Sequence, residues 1–252
     1  MRLFKNFIKK LLFYTTVPKC VCCRKKLDFE DRALCKTCAK DYEEAKKNEC
    51  SVCFKRLSRC KCSNKYLKSH MMPKLLKIFR YKPSSGPNER VAQNELIYNI
   101  KRTRRRDLLD FISDELILSI KNCVDTEDLL ITNVPRKRTR VLKYGFDHSQ
   151  EIAKAISKKL GLKYVRLLKS KSKAPQKKLR GEERIKNAEF DVINKREIVK
   201  GKKILLVDDI VTTGASMGAS AMLIRAIGAK EVIGVCMAIT YKDEYTPFLH
   251  SD

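Results

Sequence analysis

The sequence predicts an α/β protein in which helices flank a parallel sheet and a small cysteine-rich module precedes that sheet. Beyond residue 126, short apolar runs alternate with stretches of helical periodicity, which is the pattern of βαβ units. Nearer the N-terminus, nine of the eleven cysteines lie between Cys20 and Cys62. The chain has 252 residues, enough for one α/β domain and a small additional module.

Residues 1–17 are predicted to form a short basic amphipathic helix. Apolar residues recur there at helical spacing, with Lys5, Lys9 and Lys10 on the opposite side. A signal peptide is not expected, because the apolar run is short and no small-residue cleavage site follows it. The helix is expected to dock on the protein's own core, and the alternative is contact with an anionic membrane surface. No segment has the roughly 18 apolar residues that a membrane-spanning helix needs.

Residues 18–70 carry cysteines at the spacing of metal ligands. Two cysteines separated by two residues can face one ion from a tight turn, and two such turns complete a tetrahedral site. A structural zinc ion is favoured over disulfides, since an odd cysteine count without an export signal does not indicate an oxidising compartment. An iron–sulfur or redox role is the remaining alternative. The predicted ligands are, in chain order, Cys20, Cys23, Cys35, Cys38, Cys50, Cys53, Cys60 and Cys62.

The first four of these cysteines form the better quartet. The last pair is C-x-C, so the last four form either a second site or a degenerate one, and cross-bracing between the pairs stays open. Metal binding supplies folding free energy that a lysine-rich segment with few large apolar residues lacks. We therefore expect residues 18–70 to be a zinc-binding module.

Residues 71–252 are predicted to form the main domain, with a helical part at 71–125 and a core sheet at 126–252. Apolar residues from Met72 to Cys123 recur at helical spacing, interrupted by a turn at 82–87. Strands are predicted at 129–134, 163–168, 203–207 and 231–239, and helices at 149–160 and 214–227. In such sheets, ligands bind beyond the carboxyl ends of the strands.

The stretch VDDIVTTGAS, residues 207–216, lies at one of these strand ends. A turn from a strand into a helix directs free backbone N–H groups and the positive end of the helix dipole to one point, where a phosphate can bind. Asp208 and Asp209 can accept hydrogen bonds from vicinal ribose hydroxyls and attract a divalent cation. The pattern therefore predicts a ribose 5-phosphate ligand, and the alternative is an acidic turn before a capped helix. The predicted phosphate loop comprises Thr212, Thr213, Gly214, Ala215 and Ser216.

The chain is strongly basic. With 56 Lys and Arg against 29 Asp and Glu, its formal charge is +27. A charge of this size favours a polyanionic partner such as nucleic acid, and the alternative is a solvated surface in a lysine-rich proteome. Two basic runs, at 101–106 and 136–140, concentrate the charge. The predicted nucleic-acid contacts in them are Arg104, Arg105, Arg106, Lys137, Arg138 and Arg140.

The loop VDDIVTTGAS resembles the phosphoribosyl-diphosphate loop of type I phosphoribosyltransferases. More of the chain is similar to one branch of that superfamily, the ComF-like competence proteins. Two departures from the family pattern are the C-x-C pair and Asp147-His148, where Asn-Gln is common. The features that carry the resemblance are the cysteine pairs, Glu95-Leu96-Ile97 through Lys101 to Asp107, Val134-Pro135-Arg136, Gly145-Phe146-Asp147-His148, Pro175-Gln176 with Leu179, Glu183-Arg184 with Asn187, and the loop itself.

The resemblance implies a type I phosphoribosyltransferase-like fold and a cytoplasmic protein of naturally transforming bacteria that handles incoming single-stranded DNA. By analogy, Asp208 and Asp209 are the catalytic acids that hold the ribose, residues 212–216 hold the 5-phosphate, and Pro135 and Arg136 lie near the diphosphate. Magnesium accompanies phosphoribosyl diphosphate. Further candidate partners are the inner membrane surface and a helicase-like or other transformation protein.

Two functions of different classes follow from these observations. In the first, the protein is an enzyme that transfers a phosphoribosyl group to an acceptor that the sequence does not identify. In the second, it is a nucleic-acid-handling module whose loop binds a nucleotide or a DNA phosphate. The two are compatible, and the alternative to their combination is a metabolic phosphoribosyltransferase with an unidentified acceptor and no DNA role.

Overall fold

The computed structural model describes residues 18–81, 91–171, 190–193 and 196–240. Within them, the main sheet contains β1 (Lys74–Arg80), β2 (Leu129–Asn133), β5 (Lys203–Val207), β6 (Ile210–Val211) and β7 (Glu231–Ile239), and a separate antiparallel pair contains β3 (Leu168–Ser170) and β4 (Phe190–Val192). The helices are α1 (Lys36–Ala45), α2 (Lys65–Ser69), α3 (Ala92–Ile100), α4 (Arg106–Cys123), α5 (Arg138–Tyr144), α6 (His148–Leu160), α7 (Arg196–Val199) and α8 (Ala215–Ala226), with a 3₁₀ turn at Leu57–Arg59.

The main sheet is parallel, with strand order β1-β7-β5-β2 and with β6 paired to β7. Every residue of β7 except Glu231 is buried, which is the continuous apolar run expected of a central parallel strand. The predicted fold class, a parallel sheet flanked by helices, is confirmed. The predicted strands at 129–134, 203–207 and 231–239 match β2, β5 and β7 to within one residue.

The best-defined helix ends are those of α6. The Asp147 carboxylate accepts a hydrogen bond from the Gln150 backbone N–H (3.2 Å), which caps the N-terminus. Gly161, with φ of +69°, ends the helix in the left-handed conformation. These are the start and stop signals from which the helix at 149–160 was predicted.

Two predicted elements are wrong. The helical pattern at Leu75, Leu76, Ile78 and Phe79 belongs to the strand β1, which pairs with β7. This spacing of apolar residues suits a helix face, but it also suits a strand with apolar residues on both faces, and all four side chains are buried. The predicted strand at 163–168 is reduced to a single bridge between Tyr164 and Ile131 of β2, and β3 begins only at Leu168.

Several sequence features lie outside the described residues. They are the N-terminal helix at 1–17, the turn at 82–87, and the family-like residues Pro175, Gln176, Leu179, Glu183, Arg184 and Asn187.

The sheet lies between two hydrophobic clusters. Along β5, Leu205 and Val207 belong to one cluster, and Ile204 and Leu206 belong to the other, as the alternation of side chains along a strand requires. The first cluster also contains apolar residues of α3, α4, α6 and the first cysteine group, whereas the second contains residues of α2 and α8. The described parts of 18–70 and 71–252 therefore share buried apolar contacts with one sheet.

Candidate functional site

Asp208 and Asp209 follow β5 directly, at the carboxyl edge of the parallel sheet. Backbone hydrogen bonds tie both residues to β7, from Asp208 N–H to the Val235 carbonyl (2.9 Å) and from Met237 N–H to the Asp209 carbonyl (3.0 Å). The side chain of Asp209 is almost fully buried. The two carboxyl groups are therefore held by the core of the sheet, at the edge where such folds bind ligands.

The pKa of the Asp208 carboxyl group is shifted toward the neutral form in this arrangement. Its Oδ1 accepts hydrogen bonds from the Ser149 hydroxyl (3.0 Å) and the Asp209 backbone N–H (2.8 Å). Burial and the negative charge of the adjacent Asp209 nevertheless raise the pKa of Asp208 well above its ordinary value. A divalent cation bound at the pair would favour ionised Asp208, because it would offset that negative charge.

The Asp209 carboxyl group is ionised. Its Oδ2 lies 2.9 Å from Lys101 Nζ and 2.9 Å from His148 Nε2, and its Oδ1 accepts a hydrogen bond from the Ile210 N–H (2.7 Å). Burial opposes ionisation, but the hydrogen bond from His148 and the Lys101 ammonium group outweigh it and hold the pKa of Asp209 well below its ordinary value. The pKa values of the two adjacent acids are thus shifted in opposite directions.

The His148 ring joins Asp209 to Arg136. The Arg136 guanidinium group donates to His148 Nδ1, so that nitrogen must be the acceptor. The other ring nitrogen, Nε2, lies 2.9 Å from Asp209 Oδ2. The His148 ring therefore stands between the Arg136 guanidinium group and the acidic pair. Arg136 is held in turn by its backbone N–H, which donates to Asp147 Oδ2 (3.0 Å).

The predicted phosphate loop leads from β6 into the N-terminus of α8. Its residues Thr212, Thr213, Ala215 and Ser216 are exposed, and they lie beside the positive end of the helix dipole. Thr213 Oγ1 accepts a hydrogen bond from the Ala215 N–H (3.3 Å). This arrangement suits an anion such as a phosphate.

Gly214 makes the sharp turn at the start of α8. Its φ is +91°, and an added Cβ would lie 2.9 Å from the side chain of Leu67. The Asn64 side-chain amide donates to the Thr213 carbonyl (3.1 Å). The short helix α2 and its capping residue Asn64 therefore pack against the loop.

The structure brings the predicted acids and Arg136 together and adds residues that sequence reasoning missed. The sequence marks His148 only as a departure from the family pattern and Lys101 as part of a basic run, but both lie close to Asp209. Ser149 was not identified at all. No local pattern points to these contacts, because they join residues that are far apart in the chain.

The cysteines form two separate groups. The ligand atoms of Cys20, Cys23, Cys35 and Cys38 lie within 4.8 Å of one another, and those of Cys50, Cys53, Cys60 and Cys62 do so as well. Consecutive pairs combine, so the cross-braced alternative is not adopted. Four cysteine sulfurs at this separation are a donor set that fits a thiophilic metal ion such as Zn²⁺.

The two groups begin with the same backbone turn. In the first, Cys20 N–H donates to the Lys25 carbonyl (2.8 Å) and Arg24 N–H to the Cys20 carbonyl (3.1 Å). In the second, Cys50 N–H donates to the Lys55 carbonyl and Phe54 N–H to the Cys50 carbonyl, both at 2.9 Å. The fourth residue after the leading cysteine has a positive φ in both turns, 65° at Arg24 and 56° at Phe54. The second group therefore has the geometry of a complete site, despite its C-x-C pair.

The predicted basic contacts differ in their surroundings. Arg106, Lys137, Arg138 and Arg140 are exposed. Arg104 is exposed as well, and its guanidinium group donates to the Gly145 carbonyl (2.8 Å). Arg105 makes a two-point contact with Asp107, through Nε (3.1 Å) and Nη2 (2.5 Å), so its charge is already paired.

Among the helices of the described residues, none combines the length and apolar character required to span a membrane.

Comparisons with known proteins agree with these features. Residues 147–248 match the family model described as "Phosphoribosyl transferase domain". The chain is 25% identical over 234 residues to the DNA utilization protein YhgH of Escherichia coli (strain K12), covering 89% of this chain and 99% of that protein. It is 26% identical over 209 residues to the competence protein ComFC of Streptococcus pneumoniae (strain ATCC BAA-255 / R6), covering 81% of this chain and 86% of that protein.

A solved structure with some similarity is that of the purine phosphoribosyltransferase from Pyrococcus horikoshii Ot3. It is 18% identical with a TM-score of 0.33, and the match covers 56% of this chain and 78% of that chain. The chain therefore contains a segment that matches a phosphoribosyl transferase domain, and along most of its length it is similar to a DNA utilization protein and to a competence protein.

Proposed function

We propose that the protein binds phosphoribosyl diphosphate with Mg²⁺ at the Asp208–Asp209 pair and handles single-stranded DNA during natural transformation. The observation that carries the ligand proposal is the position of two adjacent acids at the carboxyl end of β5, followed by a loop in which Thr212, Thr213, Ala215 and Ser216 are exposed. A phosphate at α8 and a ribose diol at the acids match the two ends of a ribose 5-phosphate.

Different residues of the site would bind different parts of the ligand. Asp208 and Asp209 would accept hydrogen bonds from the ribose hydroxyls, and residues 212–216 would bind the 5-phosphate. The Arg136 guanidinium group contacts His148, and His148 contacts Asp209. The positive charge of Arg136 would stabilise the diphosphate. When bound, Mg²⁺ would neutralise charge on the diphosphate and the acids.

In a phosphoribosyl transfer at this site, one bond at ribose C1 breaks and another forms. The bond from ribose C1 to the diphosphate oxygen breaks, and its electron pair leaves with the diphosphate. The acceptor nucleophile forms the new bond at C1 and gives up its proton to solvent. Asp209 would stabilise the positive charge that develops on the ribose, since it is held ionised by Lys101 and His148.

The DNA part of the proposal rests on the charge of the chain and on the relatives. The formal charge is +27, and α5 carries exposed Arg138 and Arg140 without a single buried residue. Relatives that align along most of this chain are named a DNA utilization protein and a competence protein. A metabolic phosphoribosyltransferase without a DNA role is the second candidate, and the complete acidic pair favours it equally.

We further propose that each cysteine group holds a structural Zn²⁺ ion and that the protein works in the cytoplasm. Thiolate ligands need a reducing compartment, which supports this location. Contact with the inner membrane surface and with a helicase-like or other transformation protein is also part of the proposal. The candidate membrane contact is the sequence at 1–17, outside the described residues.

Calorimetric titration with phosphoribosyl diphosphate and Mg²⁺ tests the ligand proposal. The double variant Asp208→Asn with Asp209→Asn should bind at least about 100-fold more weakly, because each lost hydrogen bond to a charged group is worth about 1.5–3 kcal/mol. The matched control is Asp125→Asn with Asp128→Asn, which removes two exposed carboxylates paired with Lys203 and Lys202 near the opposite end of β5. Equal affinity in both double variants would refute the site.

The same titration, repeated in the presence of a single-stranded oligonucleotide, separates the two candidates. A changed affinity for phosphoribosyl diphosphate would show linkage between the two ligands, as the transformation proposal requires. Unchanged affinity, together with no binding of the oligonucleotide, would favour the metabolic enzyme.

A further inference from the structure

Lys77 of β1 is a lysine with no solvent exposure. A buried ammonium group costs several kcal/mol unless its hydrogens and its charge are matched. Its Nζ contacts Cys60 Sγ (3.1 Å), the Cys62 carbonyl oxygen, and the Leu75 carbonyl oxygen (3.5 Å). No carboxylate of the described residues forms an ion pair with Lys77, so the two carbonyl groups supply hydrogen-bond acceptors but no countercharge.

The sulfur that Lys77 contacts belongs to the second cysteine group. Four thiolates around one divalent ion carry a net charge of about −2, and this group lies against the sheet, away from bulk water on one side. Cys60 Sγ also accepts a hydrogen bond from the Cys62 backbone N–H (3.3 Å), and Cys50 Sγ accepts one from the Val52 N–H (3.4 Å). Lys77 adds a full positive charge to these backbone donors.

We infer that Lys77 is the built-in countercharge of the second metal site, an inference that rests on the proposed binding of a metal there. The ammonium group stabilises the ion bound by four thiolates, and that complex in turn stabilises the buried ammonium group. Lys77 also fixes the orientation of Cys60, the ligand whose spacing departs from C-x-x-C. It is a positioning residue for a thiophilic divalent ion such as Zn²⁺ or Cd²⁺.

The contact couples the metal site to the main sheet. Leu75 N–H of β1 donates to the Lys61 carbonyl (2.9 Å), and Lys74 pairs with Cys62 in an isolated antiparallel bridge. The Ser119 hydroxyl of α4 donates to the Ser58 carbonyl (2.8 Å). Loss of the ion would leave a buried positive charge on the strand to which the second group is attached.

The test begins with the metal content of the wild-type protein, measured by native mass spectrometry, and with its affinity for each ion, measured by competition with a chromophoric chelator. Lys77→Met keeps the length of the side chain and removes the charge, and Lys77→Gln keeps a donor without the charge. Both should weaken one ion by about 10–100-fold, the usual effect of losing an outer-shell partner, and leave the other unchanged.

The matched control is Lys74→Met in the same strand. Lys74 is half-exposed and is paired with Glu231 (2.6 Å), so its loss should leave both metal affinities unchanged. Cys50→Ser identifies the affected ion, because this variant should lose the ion that Lys77→Met weakens. Cys20→Ser should lose the other ion.

The possible failures are distinguishable. A wild-type protein that under reducing conditions binds no ion, or binds one ion that Cys50→Ser does not lose, would refute metal binding by the second group, and with it this inference. Two ions in the wild type with unchanged affinities in Lys77→Met would refute the role of Lys77 alone. If the Lys77 variants do not fold, ¹¹³Cd-loaded wild-type protein decides: scalar coupling from one ¹¹³Cd nucleus to the Lys77 ammonium protons supports the contact, and its absence overturns it.

Discussion

At the scale of single residues, the pKa values of the two adjacent acids are shifted in opposite directions because their neighbours differ. Asp208 receives neutral donors, the Ser149 hydroxyl and a backbone N–H, which do not offset its burial beside a carboxylate. Asp209 faces the Lys101 ammonium group and the His148 N–H. The same side chain therefore contributes to stability with opposite signs at neighbouring positions.

The opposite contributions of Asp208 and Asp209 to stability can be measured as changes in melting temperature at pH 7, without Mg²⁺ or phosphate. The raised pKa of Asp208 means that the folded protein holds a proton that the unfolded chain has released, so stability falls as pH rises above about 4. Asp208→Asn should therefore raise the melting temperature at pH 7. The gain should vanish near pH 4.

Asp209→Asn is the matched comparison and should lower the melting temperature at pH 7. Its pKa is depressed, so its contribution is complete above about pH 4 and is lost as pH falls through the lowered folded value. The variant also leaves the Lys101 charge without its carboxylate. If the melting temperature changed in the same direction in both variants, the opposite pKa shifts of Asp208 and Asp209 would be contradicted.

At the scale of secondary-structure elements, the loop before α8 depends on a helix from the cysteine-rich region. Gly214 has a positive φ and leaves no room for a Cβ, because Leu67 of α2 lies in that space. Gly218 in the next turn is similarly close to Tyr66 and His70. The phosphate loop is thus shaped by local sequence and by the element packed under it.

Gly214→Ala should lose more stability than a glycine variant with backbone strain alone. Gly161→Ala is the control, since Gly161 also has a positive φ but an added Cβ would meet nothing within 4 Å. The control should cost about 1–2 kcal/mol in urea unfolding, and Gly214→Ala should cost more because the Leu67 side chain must move. Gly214→Ala should also weaken the binding of phosphoribosyl diphosphate, because the loop is distorted. Adding Leu67→Ala to Gly214→Ala should restore part of that binding. Equal losses in the two single variants would mean that the contact with Leu67 is unimportant.

Much of this architecture could be predicted from the sequence, because local signals agree with the fold. The strands β2, β5 and β7 are continuous apolar runs, and α6 has both a capping acid and a terminal glycine. β1 could not be distinguished from a helix, since its identity depends on pairing with β7 far along the chain. The contacts of His148 and Lys101 with Asp209 were unpredictable for the same reason.

At the scale of the whole molecule, the positive charge is distributed unequally between paired and exposed side chains. Arg105 is paired with Asp107, whereas Arg106, Arg138 and Arg140 are exposed. Aromatic rings lie beside some basic groups, as Tyr144 does beside Arg136 (4.9 Å from the guanidinium carbon to the ring centroid). We expect phosphate contacts to supply most of the affinity for single-stranded DNA.

The salt dependence of DNA binding tests this expectation. Affinity for a single-stranded oligonucleotide, measured by fluorescence anisotropy, should fall linearly with salt on a log–log plot, with a slope of about −0.7 per phosphate contacted. Replacing Arg106, Arg138 and Arg140 together by Gln should reduce the slope by roughly 2, whereas Arg105→Gln should change it little. The absence of any complex at physiological salt and micromolar protein would refute the DNA proposal.

The position of β1 in the sheet affects how the protein is made. Among the described strands, β1 joins the sheet only through β7, so it leaves the ribosome long before its partner strand is synthesised. An apolar strand without its partner is a site for pairing with other chains. The second cysteine group, which precedes β1, is hydrogen-bonded to it at Leu75 and Lys77. A metal-filled second group would therefore occupy some backbone groups of β1 on the nascent chain, whereas the edge that pairs with β7 would stay unpaired until β7 emerges.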